Sequence, residues 1–207
     1  MPNTNPRVGQ QRPGGRAARV KTDILRATAE LLTEVGYDKM SVEDVASRAG
    51  VHKTTIYRRW PTNAELVAEA ATEHSAEAVP IPDTGTIAGD LQALAREVAA
   101  NIGTEGGARR SRSIAAAAAI SDELAEGMHA FWADRLTRSG HVVERAIDRG
   151  ELPPGTDPNL IIETLIGPLW VRLLLTGEPI THDLADRVAK LVTDGATIST
   201  LDGRDPR

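Results

Sequence analysis

The chain has 207 residues, 41% hydrophobic and 26% charged, with no cysteine. That length suits one large domain, or a small one joined to a larger one, and the lack of cysteine excludes disulfide frameworks, thiolate metal sites and cysteine nucleophiles. The net charge is −5, yet residues 1–60 hold 11 Lys and Arg against 6 Asp and Glu, while residues 61–207 hold 13 against 23, so a basic first part suited to a polyanion precedes an acidic remainder.

Residues 1–18 are rich in Pro, Gly, Gln and Asn and read as a flexible arm with no apolar signal segment. No uninterrupted apolar run approaches the ~18 residues that a membrane span requires, which predicts a soluble, cytoplasmic protein with no membrane partner. Ile24, Leu25, Thr28, Leu31, Leu32 and Val35 recur at helical spacing, so a first amphipathic helix is expected over 19–36, ended by Gly36. Ser41, with Asp44 three residues on, forms a capping box for a second helix whose buried face is Val42, Val45 and Ala46. That helix stops near Gly50, where a positive φ is cheap. A third helix is expected over 52–59. Helix, short Gly-containing turn and helix make a helix-turn-helix pattern. Pro61 closes the element, and Thr62-Asn63-Ala64-Glu65 is a second capping box opening a fourth helix to about Ala78.

Pro80, Pro82, Asp83 and Gly85 mark a boundary loop. Further helices are expected over 87–102, 109–119, 121–149, 158–176 and 182–194. Loops are expected at Gly103–Gly107 and Pro153–Pro158, with a kink or break at Ser139-Gly140. No alternating strand pattern appears. The fold class is therefore all-α: a helix-turn-helix domain over 19–64 and a larger helical domain over 65–200.

On the third helix Lys53, Thr54, Tyr57 and Arg58 share an outward arc, while Val51 and Ile56 turn inward. Lys and Arg neutralise phosphates, Thr and Lys reach base edges, and a Tyr hydroxyl bonds a phosphate oxygen. A basic cluster alone is usually just a solvated face. Here the capped helix before it, the Ala49-Gly50-Val51 turn and the Pro61 exit fall at the spacing a reading head needs, and double-stranded DNA is the expected partner.

Gly36-Tyr37, Met40-Ser41-Val42-Glu43-Asp44-Val45-Ala46, Ala49-Gly50-Val51, Thr55-Ile56-Tyr57-Arg58-Arg59-Trp60-Pro61 and Glu65-Leu66 together resemble the N-terminal domain of the TetR family of transcriptional regulators, densely over residues 19–70. The stretch from about Gly155 to Pro179, especially Leu165 to Pro179, resembles, more loosely, the penultimate helix of many members. The resemblance implies an all-helical homodimer, a ligand-responsive repressor whose paired reading heads bind a palindromic operator and whose larger domain binds a small-molecule effector. It implies DNA contacts at Ser41, Lys53, Thr54, Thr55, Tyr57 and Arg58; Trp60, placed where the third helix meets the fourth, is expected to be a packing residue. Two positions depart from the family pattern: His52 stands where a Ser or Thr cap is common, and Asn63 where a Lys is.

In the larger domain, the 158–176 helix is apolar almost all round, and Pro168 frees the Thr164 carbonyl, so a kinked helix covered on several sides is expected. With the stripe Leu184, Val188, Leu191 and Val192 of the last helix it could form a four-helix dimer interface, with Ile161, Leu165, Leu169, Leu184, Val188 and Leu191 as candidates. Met128, Phe131, Trp132 and Trp170 are most of the large adaptable side chains in a chain with 3% aromatics. They are the candidate frame of a cavity for a predominantly apolar effector, with His129, Arg138 and His141 as polar anchors.

An enzyme is not expected. The five histidines are scattered, and no G-x-S-x-G, phosphate-binding Gly loop or H-E-x-x-H is present. No cofactor or metal site follows from the sequence, since Glu73, His74 and Glu77 share a helix face by chance spacing alone. The rival reading is an architectural helix-turn-helix protein without an effector, which would have no need of so large a second domain.

Overall fold

The computed structural model describes residues 13–198, and they form helices without a strand among them. Helix α1 is Pro13–Glu34, a 3-10 turn spans Tyr37–Lys39, and α2 is Val42–Ala49, α3 Lys53–Tyr57 and α4 Asn63–Ala78. The larger part follows as α5 Ile87–Gly103, α6 Glu105–Ala118, α7 Asp122–Asp148, α8 Pro158–Val171, a π-helical turn Arg172–Thr176, and α9 His182–Ile198. The all-α expectation holds.

Several boundaries differ from expectation for identifiable reasons. Helix α1 begins at Pro13, so residues 13–18 belong to it rather than to an arm; proline at a first helical position loses no bonded amide. The rest of the expected arm, 1–12, lies outside the described residues. Gly103–Gly107 is not a loop, because Thr104 alone separates α5 from α6, its Oγ1 accepting from Gly107 N at 3.0 Å. That turn is so tight that a Cβ at Gly107 would overlap the Asn101 carbonyl oxygen. Ser139-Gly140 does not break α7, which runs from Asp122 to Asp148. The missing side chain of Gly140 is used sideways instead, since a Cβ there would stand 3.1 Å from Pro158 Cβ at the start of α8. Past Pro168 the helical run continues but its bonding widens, with Gly177 N donating to Arg172 O at 3.0 Å.

Two apolar clusters hold the chain. One joins α5, α7, α8 and α9 through Leu91, Leu94, Val142, Val143, Leu165, Leu169 and Ala185. Arg96 of α5 grips Asp186 of α9 in a two-pronged pair at 2.6 and 2.7 Å. The other cluster is built from α1 to α4 by Ile24, Leu25, Leu32, Val45, Ile56, Leu66 and Val67. It is not closed by them, because Ala117 of α6 and Leu124 and Met128 of α7 complete it. The small N-terminal part thus shares its core with the larger one. At the junction a Cβ on Gly127 of α7 would stand 2.9 Å from Ala68 Cβ of α4, so glycine allows the two helices their close approach.

The segment Pro158–Thr176 is long and apolar enough to cross a membrane, but Ile162, Leu165, Leu169 and Leu173 are buried in the bundle. This revises the expected dimer residues. Leu165 and Leu169 are fully covered within one chain, and Val188 is 7% exposed, so they are core rather than contact surface. Of the expected set, Leu191 is exposed, while Ile161 and Leu184 are half-buried against the same core. The large apolar side chains exposed on α8, the π-helical turn and α9 are instead Leu160, Val171, Leu174, Leu175 and Leu191. Leu165→Ala should therefore cost about 2–5 kcal/mol of folding stability, read as a lower denaturant midpoint at fixed protein concentration, whatever the state of association.

Candidate functional site

The reading head is set by backbone chemistry at three points. Ser41 Oγ accepts from Asp44 N at 3.1 Å and starts α2, while Gly50 ends it in the left-handed region at φ 66° and ψ 34°. Val51 N returns to Ala46 O at 3.0 Å, which turns the chain into α3. His52 stands at the N-cap of α3 without a side-chain hydrogen bond, so the missing hydroxyl cap is not replaced. Ile56, fully buried, is the pin that fixes which face of α3 points out.

That outward face carries Lys53, Thr54, Tyr57 and Arg58, all exposed; Thr55 is half-buried, as are Ser41 at the start of α2 and Asn63 at the start of α4. Lys53 Nζ lies 3.1 Å from Glu43 Oε1 of α2, a solvent-exposed pair that yields easily to a stronger anion. The Lys53 hydrogen bond holds the Glu43 carboxyl below its ordinary value. Cations, hydroxyls and a phenol on one protruding short helix can meet phosphates and base edges together.

Trp60 is a packing residue, 3% exposed, and its Nε1 donates to Glu69 Oε2 of α4 at 2.6 Å. Glu69 also takes Lys21 of α1 at 2.5 Å and faces Arg59 at 3.9 Å. One carboxylate therefore ties the exit of α3 to α1 and α4. Around the back, Arg48 grips Glu34 at 2.6 and 2.7 Å, joining α2 to the end of α1.

The second feature is a cavity of about 230 Å³ between the head and the larger part. Ala29 and Leu32 of α1 and Ala70, Ala71, His74 and Ser75 of α4 form one wall. Met128, Phe131, Trp132 and Trp170 all lie in its lining, with Trp132 edge-on to both Phe131 and Trp170 at centroid distances of 5.1 and 5.2 Å. The expected polar anchors are elsewhere: His129 is exposed, His141 pairs with Glu144 at 2.6 Å, and Arg138 pairs with Asp134 at 2.7 Å.

The polar side chains in the lining, apart from the indoles, are His74, Ser75, Asn101, Arg110, Ser111, Arg135 and Ser139. Arg110 donates to Thr33 Oγ1 at 3.0 Å and to Asn101 Oδ1 at 2.7 Å. His74 Nε2 lies 3.1 Å from the same Asn101 oxygen, and burial, followed by the Arg110 charge, lowers its pKa. Arg135, 6% exposed, is pushed down to about 10 by burial and then by Arg138. Sequence reading misses it, although a signal exists: with Met128 and Val142 it stands at intervals of seven on one apolar face of α7.

Helix α6 connects this cavity to the head. Ile114 and Ala118 line the cavity, while Arg109 donates to the Thr33 and Glu34 carbonyls at 3.0 and 2.9 Å and so caps the end of α1. Ser113 Oγ accepts from Tyr37 N at 3.0 Å.

Residues 24–70 match the model of bacterial regulatory proteins of the tetR family, and residues 81–192 match the tetracyclin repressor-like C-terminal domain. The chain is 34% identical over 192 residues to the HTH-type transcriptional regulator AqdR of Rhodococcus erythropolis, covering 93% of this chain and 92% of that one. The chain belongs to the TetR family of transcriptional regulators. Like other TetR-family proteins it is a DNA-binding regulator of transcription. It is 30% identical over 158 residues to the uncharacterized HTH-type regulator YdeS of Bacillus subtilis, covering 76% of this chain and 79% of that one. Among solved structures, the TetR family transcription regulator SCO0332 superposes with a TM-score of 0.75 at 27% identity over 86% of this chain and 98% of its own. FadR of Bacillus subtilis, solved in complex with stearoyl-CoA, has the same fold, with a TM-score of 0.64 at 18% identity over 84% of this chain and 98% of its own.

Burial acts to raise the Glu69 carboxyl, but hydrogen bonds from Lys21 and Trp60, with the charges of Lys21 and Arg59, outweigh it and hold the group below its ordinary value. A depressed folded pKa gives stability that is present above the unfolded value of ~4.3 and lost as pH falls through the folded one. Glu69→Gln, which keeps an acceptor for Trp60, should therefore cost less than ~1 kcal/mol at neutral pH for this partly solvated pair. The difference should vanish in acid, as followed by denaturant titration across pH.

Proposed function

We propose that the chain is a ligand-responsive repressor that binds a palindromic operator as a homodimer. In this reading Lys53, Thr54, Tyr57 and Arg58 enter the major groove or grip its phosphates, with Ser41 and Thr55 at the flanks of the contact. The observation that carries the proposal is the position of the cavity. One of its walls is formed by α1 and α4, the two helices on which the reading head is mounted, so an occupant touches the head's own support.

The dimer reading rests on Leu160, Val171, Leu174, Leu175 and Leu191, the large apolar side chains exposed on α8, the π-helical turn and α9. A second copy related by a two-fold axis would cover them isologously. Two heads would then face half-sites one DNA turn apart, ~34–36 Å, or a multiple. A predominantly apolar effector in the cavity would press on α4 and α6, which caps α1 through Arg109, and so alter that separation. Such coupling is worth about 1–3 kcal/mol, a change of roughly 5- to 150-fold in operator affinity, and is reciprocal between ligand and DNA.

Leu175→Glu and Leu191→Glu should shift the sedimenting mass from dimer to monomer while leaving the helical circular dichroism intact; a mass that stays dimeric in both would remove this interface. Sequencing of DNA fragments retained by the protein should yield an inverted repeat. Against that site Lys53→Ala and Arg58→Ala should each flatten the dependence of log affinity on log salt by about 0.9 for every phosphate left without its cation. Unchanged affinity in a Lys53/Tyr57/Arg58 triple alanine variant would contradict the assignment.

A further inference from the structure

An apolar occupant leaves the charge inside the cavity unexplained. Arg135 reaches it from α7 almost wholly buried, and its Nη2 has no hydrogen-bond partner. The carboxylate whose field reaches it, Asp134, is engaged with Arg138 at 2.7 Å. Trp170 Nε1 is a second buried donor without a partner in the same lining. Arg110 differs, because both its terminal nitrogens donate to neighbours. Among the described residues no Asp or Glu lines the cavity.

A guanidinium keeps its proton at any physiological pH, so it cannot relieve its burial by becoming neutral. A water molecule could accept from an N–H, but it would leave the positive charge uncompensated. The group that completes this site must be an acceptor and an anion. Its body must be apolar, since Met128, Phe131, Trp132 and Ile166 form much of the surrounding wall. It must also be compact, because 230 Å³ lies below the ~300–1,000 Å³ of sites for drug-sized ligands.

We propose that the cavity takes a compact carboxylic acid of one or two rings in its ionised form, its carboxylate paired with the Arg135 guanidinium and its body packed against Phe131, Trp132 and Met128. Trp170 supplies a second donor to the same chamber. This rests on reading the cavity as the effector site and narrows the effector to a chemical class. A planar fork on a carboxylate gives two parallel charge-assisted hydrogen bonds, the strongest pairing available to an arginine.

The test compares acids with amides of the same shape on the full chain: 2-naphthoate against 2-naphthamide, and 4-isopropylbenzoate against its amide, by calorimetry with tryptophan quenching as a second readout. At least one acid should bind about tenfold or more tightly than its amide, as expected for a buried charged hydrogen bond. In Arg135→Met the ratio should fall toward one. The ligand-free variant should melt no lower than wild type, since a linear apolar chain replaces an uncompensated buried charge. Amides that bind as well as acids, a preference that survives in Arg135→Met, or no binding by any acid at millimolar concentration would each overturn the proposal. The wild-type ratio decides it even if the variant fails to fold. Operator release by amides and acids alike would leave the ligand-responsive reading standing without the acid. Acids that bind through Arg135 and leave operator affinity unchanged would sink that reading and keep the site.

Discussion

Helix α4 is buried from two directions, and the rest of the structure depends on that. Leu66, Val67 and Ala70 close the core of the reading head with Ile24, Leu25 and Ile56, yet that core is completed by Leu124 and Met128 of α7 and Ala117 of α6. A short unit with an incomplete core cannot choose its own orientation, because tilting it away would expose the apolar side chains that hold it together. The close approach of Gly127 to Ala68 leaves little slack at the contact. Head and body are therefore packed as one body, and whatever shifts α7 or α6 is felt at α3 through very few intermediates.

The placement of charge follows the same division of labour. The head uses ion pairs between its helices, Arg48 with Glu34 and Lys21 with Glu69, to join α1, α2 and α4. It leaves Lys53 and Arg58 at the surface, Lys53 held only by an exposed glutamate. Inside the body the logic reverses: Arg110 and Arg135 are buried in the cavity lining, where among the described residues no carboxylate stands. An outward cluster of cations suits a polyanion that arrives from solvent. Of the two buried cations, Arg110 is held by Thr33 and Asn101, and Arg135, its Nη2 without a partner, suits a small anion admitted to a fixed place.

Local signals are the ones legible in the sequence. Both N-caps stand where Ser41 and Thr62 announce them, each side chain accepting from the amide three residues on, the Gly50 turn has the positive φ its residue type suggests, and Trp60 packs as expected. The caps and the turn depend on neighbours within four residues, and so does the periodicity that fixes each helix. What the sequence conceals depends on distant partners. Thr104 serves as the end of α5 and the start of α6, which composition alone reads as a glycine loop. Leu165 and Leu169 carry an apolar pattern indistinguishable from that of Leu175 and Leu191, and only the packing of α5, α7 and α9 decides which are sealed within the chain. Arg135 escapes notice because a charged residue on a long helix is ordinarily solvated; its apolar neighbours at intervals of seven are the available warning.

Native-state hydrogen exchange tests the shared core most directly. If α4 binds head and body into one packed unit, the slowest amides of α1 and α4, around Leu32 and Leu66, should open with the same free energy as those around Leu124 in α7, and should respond equally to denaturant. Amides of α1 and α4 that all exchange through a lower-energy opening, while α7 stays protected at the global value, would contradict it and show a head that moves independently of the cavity.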